Sequence, residues 1–183
     1  MLPTIPYTCD LARAMMFVDG ENLAIRYGKL LAAGHHPLES NRLYIPDVAV
    51  WSETLNPTQS TPALMRKYYY TAVQGDQPKV AEVEMQLKRV GIETPRVFKK
   101  EKGRNSKRVD ITLAIDMLTH AARKHYDVAI LVAGDEDYVP LVEAVQREGT
   151  RVGLWFVSEG LSPALCQAAD FFLDLNPSLF AVP

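Results

Sequence analysis

Along the chain, short apolar runs alternate with longer stretches in which apolar residues recur every three or four positions. Residues 14–18, AMMFV, form the first run and predict a strand that stops at Asp19 and Gly20. Residues 23–33 carry helical spacing, and Gly34 stands where a helix C-terminus favours glycine. Strands are predicted again over 64–73, 92–98, 128–133, 152–157 and 171–175, with helices over 78–90, 106–124, 138–148 and 162–169. A further helix is predicted over 46–55, because Pro46 suits a first helical position. Residues 1–13 read as a lead-in and 14–183 as a single domain. Strands alternating with helices of this length build βαβ units. The expected fold is therefore α/β, a three-layer sandwich with a central, mostly parallel sheet and helices on both faces.

Composition narrows the class without changing that picture. A chain of 183 residues suits one domain with one substantial core, and 48% hydrophobic with 23% charged residues is the balance of a soluble globular protein. No apolar run approaches the ~18 residues that span a bilayer. The first residues, MLPTIPYTCDLARAMMFVDG, lack the basic start and long apolar core of a secretory signal. Cys9 and Cys166 stand far apart with no metal-type spacing, which favours a reduced, cytoplasmic setting. A net charge of -2 excludes a globally basic nucleic-acid binder, but charge is unevenly spread. The segment KKEKGRNSKR places Lys99, Lys100, Lys102, Arg104, Lys107 and Arg108 against the single acid Glu101. A run of this kind is most often a solvated loop.

Acids gather at particular places. In parallel α/β sheets ligands bind beyond the carboxyl ends of the strands. Asp19 ends the first strand, and Asp135 and Asp137 follow the strand over 128–133. Asp110 opens the helix after the strand over 92–98, at the head of the stripe 110, 113, 114, 117, 118 and 121. All four carboxylates are thereby expected at one rim. Each alone has an ordinary role in a turn, a cap or a helix dipole. Together they repel, by roughly 4 kcal/mol for a pair ~4 Å apart at an effective dielectric of about 20. A hard divalent cation relieves that cost, and no cysteine or histidine cluster favours zinc instead. Asp116, Glu136 and Asp170 rank lower. His35, His36, His120 and His125 show no ligand spacing, and Tyr27 and Tyr138 are expected to pack in the core, with stacking on a base as the alternative.

The segments FVDGENL, KRVDITLAIDML and ILVAGDEDYVPLVEAVQREGTRVGLW, in this order, resemble the NYN domain of the PIN-like nuclease superfamily, specifically its LabA-like branch. The resemblance runs from about residue 14 to residue 175 and implies a PIN-like fold. It also implies a metal-dependent ribonuclease using one or two Mg²⁺ or Mn²⁺ ions. Asp19, Asp110, Asp135 and Asp137 would be the metal ligands. Asn22 would orient substrate or a metal-bound water, and RNA would be the partner. The basic segment, adjacent to Asp110, would then grip phosphates. Two positions depart from the family pattern: Ala133 stands where serine is common, and Tyr138 where phenylalanine is usual. The competing reading is an RNA-binding or regulatory protein that keeps the fold with little or no turnover. Self-association stays open. A phosphatase reading of Asp135–Val139 as a DxDxV motif fails, because 46 residues after Asp137 are too few for the rest of that fold.

Overall fold

A computed structural model of the protein describes residues 12–38, 42–56, 63–100 and 107–181. In chain order these residues form β1 (Arg13–Asp19), α1 (Gly20–Ala32), β2 (Arg42–Ile45), β3 (Ala49–Ser52), β4 (Ala63–Gln74), α2 (Gln77–Arg89) and β5 (Thr94–Lys100). Then come α3 (Lys107–Ala122), β6 (Val128–Val132), α4 (Val139–Arg147), β7 (Arg151–Phe156), α5 (Pro163–Ala168), β8 (Phe171–Asp174) and α6 (Asn176–Leu179). The expected lead-in lies outside the described residues, apart from Ala12 and Arg13. No helix among the described residues is long and apolar enough to cross a membrane.

Six strands form one sheet in the order β5-β4-β1-β6-β7-β8, and every pairing in it is parallel. Side chains of a strand alternate between faces, and the chain uses both. β1 sends Ala14, Met16 and Val18 into one core, with Leu23 and Tyr27 of α1 and Val80, Val83 and Leu87 of α2. Phe17 enters the other core, with Val109, Leu113 and Met117 of α3 and Leu141, Val142 and Val145 of α4. The fold is thus the expected α/β sandwich with helices on both faces. From β1 the chain winds outward to β4 and β5, returns through α3 to β6 beside β1, and winds outward the other way. This reversal leaves a crevice at the carboxyl ends of β1 and β6, the kind of switch point at which such sheets hold ligands.

Three expectations need correction. The segment over 46–55 is no helix: β2 and β3 form an antiparallel hairpin, and Glu53–Leu55 adds a single 3-10 turn. Pro46 begins the turn between the strands, where Asp47 adopts a left-handed φ of 58°. All four residues of β3 are buried, so no alternating pattern marks the strand. Leu113, Met117 and Ala121 of the expected α3 stripe are buried, but Val109 rather than Asp110 heads it, and Ala114 and Leu118 are less buried. Burying each larger side chain there contributes about 1.5–3 kcal/mol. Asp110 and Leu118 consequently leave the core, and Ile111, Ile115 and Leu118 are exposed. The expected helix over 138–148 starts one residue later, after a 3-10 turn over Glu136–Tyr138.

Candidate active site

Each acid reaches the crevice by its own local device. β1 gives way to α1 at Gly20, where a Cβ would fall 1.9 Å from a ring carbon of Tyr69. Asp19 caps α1, its Oδ1 accepting from the backbone N–H of Asn22 at 3.0 Å. It shares the parity of Phe17, so it faces α3 and α4 and is 4% exposed. Asp110 projects from the first turn of α3, next to the core residue Val109. Gly134 carries the chain out of β6, and a Cβ there would lie 2.3 Å from the Phe156 ring. Asp135 follows it, its Oδ1 accepting from the N–H of Asp137 at 3.3 Å to cap the 3-10 turn. Both rim acids are exposed.

Asp19, Asp110, Asp135 and Asp137 line one cleft of about 200 Å³, with Ile111, Ala114, Tyr138 and Leu141 as its remaining walls. The buried Tyr138 hydroxyl stands between two of the acids. It donates to Asp19 Oδ2 at 2.9 Å and lies 3.4 Å from Asp110 Oδ1. Asn22 is absent from this lining. Its Oδ1 accepts from the N–H of Gly134 at 3.0 Å, which ties the start of α1 to the turn carrying Asp135. Asn22 therefore positions two acid-bearing segments relative to each other.

The electrostatics follow from burial. Desolvation pushes the Asp19 carboxyl up from 3.8 to about 7, against the stabilising hydrogen bonds from Asn22 and Tyr138. The neighbouring charges of Asp110 and Glu21 push the same way as burial. Asp110 is also raised, first by desolvation and then by Glu21, Asp135 and Asp137, while Tyr138 opposes the shift. Among the described residues no Lys, Arg or His forms an ion pair with any of the four cleft acids.

All donors here are oxygens, four of them carboxylates, which is the chemistry of Mg²⁺ and Mn²⁺ rather than zinc. That donor set fits a hard divalent ion. The shell is open as arranged, however. No three Asp, Glu, His or Cys side chains among the described residues stand close enough to enclose an ion. Asp135 and Asp137 stand exposed at the rim of the cleft.

Of the basic segment, Lys102 and Arg104 lie outside the described residues, as does the side chain of Lys107. Lys99 is exposed at the end of β5. Lys100 is paired with Glu21, and the guanidinium of Arg108 lies 5.3 Å from the centroid of the Phe98 ring. Glu21 and the Tyr138 hydroxyl were not singled out from the sequence. Glu21 was visible two residues after Asp19, whereas Tyr138 offered no polar signal beyond its own phenol. Tyr27 packs in the core as expected, stacked on Phe180 with ring centroids 5.1 Å apart. Asp116 faces away from the cleft, accepting from Tyr70 at 2.9 Å with Arg96 at 3.9 Å. A roomier cavity of about 580 Å³ opens at the C-terminal end of α1, beside His35, His36, Glu159 and Phe180. It gathers no set of carboxylates.

The sequence profile of the NYN domain matches residues 13–176. Among curated proteins no sequence matches. The crystal structure of a protein of unknown function from Vibrio parahaemolyticus superposes with a TM-score of 0.63 at 21% identity. The alignment covers 99% of this chain and 100% of that one. At this identity the likeness concerns the fold.

Proposed function

As the chain belongs to the NYN domain family, we propose that it is a metal-dependent ribonuclease, hydrolysing phosphodiesters of RNA at the cleft of Asp19, Asp110, Asp135 and Asp137. The observation that carries this reading is the convergence of four carboxylates from three chain segments on one cleft. A nuclease-like hydrolase is the activity that membership of the family supports. The metal, the RNA and the cytoplasmic setting are the finer parts of the proposal.

The four aspartates would hold one or two Mg²⁺ or Mn²⁺ ions. Bound there, such an ion supplies Lewis-acid charge that activates water and offsets charge developing on the phosphate. The protein's own contribution is positional. Asp19 is fixed by the α1 cap, and Asn22 holds the Gly134 turn so that Asp135 stands opposite. Ile111, Ala114 and Leu141 give the cleft an apolar wall for a ribose or base edge. Lys99 and Arg108 flank the entrance to α3, where phosphates of a bound strand gain favourable charge. Lys100 serves Glu21 instead.

The experiment is incubation of the purified protein with single-stranded and structured RNA in Mn²⁺ or in EDTA, beside Asp135→Asn. Cleavage in Mn²⁺ that is lost in EDTA and in the variant is the expected result. Cleavage that persists unchanged in Asp135→Asn refutes the assignment. RNA binding without cleavage by the unaltered protein points to the regulatory alternative, which the substitution of Ala133 for a family serine favours.

A further inference from the structure

Resting on the proposed cation site, we infer that the Tyr138 hydroxyl competes with the ion for Asp19 and Asp110, holding the two carboxylates across a phenol oxygen until a cation displaces it.

Asp19 already has each oxygen of its carboxylate engaged once. It is 4% exposed, and its Oδ1 already accepts from the N–H of Asn22. Oδ2 is the oxygen left for the cleft, and Tyr138 occupies it at 2.9 Å. The same hydroxyl reaches the nearer oxygen of Asp110 at 3.4 Å. A hydroxyl carries one proton, so it cannot donate fully to both, and it sits where the two carboxylates would otherwise share a cation. An Mg²⁺-sized ion demands contacts of about 2.0–2.1 Å from those oxygens. An ion shared between Asp19 Oδ2 and Asp110 Oδ1 would therefore take the place of the phenol proton between them.

The tyrosine is well held. Its ring is 4% exposed in the core shared with α3, α4 and Phe17, and the chain on either side is fixed by the 3-10 turn and α4. The hydroxyl cannot leave by a large swing of the side chain without losing that packing. Any rearrangement on loading therefore falls to the acids. Asp135 and Asp137, exposed at the rim, are not engaged by Tyr138 and would meet an ion first. Tyr138 thereby sets the ion concentration at which the inner pair joins them.

Tyr138→Phe removes the oxygen and keeps the ring. Mn²⁺ affinity is measured by calorimetric titration and by electron paramagnetic resonance of free Mn²⁺, and melting is followed in EDTA and in Mn²⁺. The variant is expected to bind Mn²⁺ about tenfold more tightly, about 1.4 kcal/mol. It should melt lower than the parent in EDTA and gain more from Mn²⁺. Melting in EDTA also reports that the variant folds. Tyr70→Phe deletes another buried phenol that donates to an α3 carboxylate, but outside the cleft, and should leave Mn²⁺ affinity unchanged. Equal or weaker binding by Tyr138→Phe, with binding by the parent, overturns the inference and leaves the cation site standing. Equal tightening in Tyr70→Phe also overturns it. Binding by Tyr138→Phe alone supports the competition while removing the case for a loaded parent enzyme. No binding by either protein overturns both.

Discussion

Two buried tyrosines donate to carboxylates, and they differ in what stands beside them. Tyr70 donates to Asp116 at 2.9 Å, and the guanidinium of Arg96 lies 3.9 Å from the same oxygen. Tyr138 donates to Asp19 at 2.9 Å and approaches Asp110, and no cationic side chain among the described residues pairs with either acid. The first contact is neutralised within the fold. The second lies at the sheet's switch point, with Asp135 and Asp137 adding negative charge. A burial cost balanced by a protein cation needs no ligand, whereas the proposed function assigns a cation from solution to the second site.

That contrast is broken most severely by removing the buried acid. Asp19→Asn is expected to lower RNA cleavage by about three orders of magnitude, several kcal/mol of lost transition-state stabilisation. Asp116→Asn should leave the rate within about twofold. A comparable loss in Asp116→Asn, measured under the same Mn²⁺ concentration, would erase the distinction between the two contacts.

The next effect is a dependence of stability on pH. Burial raises Asp19 from 3.8 to about 7, so the native state keeps its proton where the unfolded chain has lost it. Stability contributed by this group is full below pH ~4 and falls as pH rises to about 7, by up to about 4 kcal/mol. In EDTA the parent should melt lower at pH 7.5 than at pH 5, and Asp19→Asn should show a flatter profile. Identical profiles for the two proteins would mean that Asp19 is not the buried acid responsible. Saturating Mn²⁺ should recover the loss at pH 7.5 in the parent and not in the variant.

A smaller change sharpens the geometry. In Gly134→Ala the new methyl would lie 2.3 Å from Phe156, so either that ring or the turn must move. We expect a loss of about 1–3 kcal/mol in urea unfolding, with a weaker Mn²⁺ response because Asp135 shifts. Unaltered stability would show that the turn has room to spare. Smallest of all is Asp135→Asn, an exposed change that preserves a good cap residue and should stay within about 0.5 kcal/mol of the parent in unfolding. Its effect belongs to cleavage.

Much of this was legible in the chain because strand ends and helix starts are marked by local chemistry. The step from apolar run to Asp19-Gly20 fixed the end of β1. The small residues Ala133 and Gly134 before Asp135 fixed the end of β6, and parallel order then put both acids on one edge. The hairpin over Arg42–Ser52 was hidden, since β3 is buried on both sides and loses the alternation that betrays a strand. Pro46, which can open a helix, here opens a turn. The α3 stripe was legible at Leu113, Met117 and Ala121 but not at its edge, because Ala114 and Leu118 are as apolar as Val109. Tyr138 was read as packing, which its ring fulfils. Its hydroxyl depends on where two distant acids end up, and no spacing along the chain reports that.

The central claim is that Asp19, Asp110, Asp135 and Asp137 share an affinity for a divalent ion. Titration of Mn²⁺ into the metal-free protein at pH 7.5, read by the disappearance of the free-ion paramagnetic signal, tests it directly. The account predicts saturable uptake of one or two ions by the parent and its loss in Asp19→Asn. No uptake by the parent, or undiminished uptake by the variant, would contradict it.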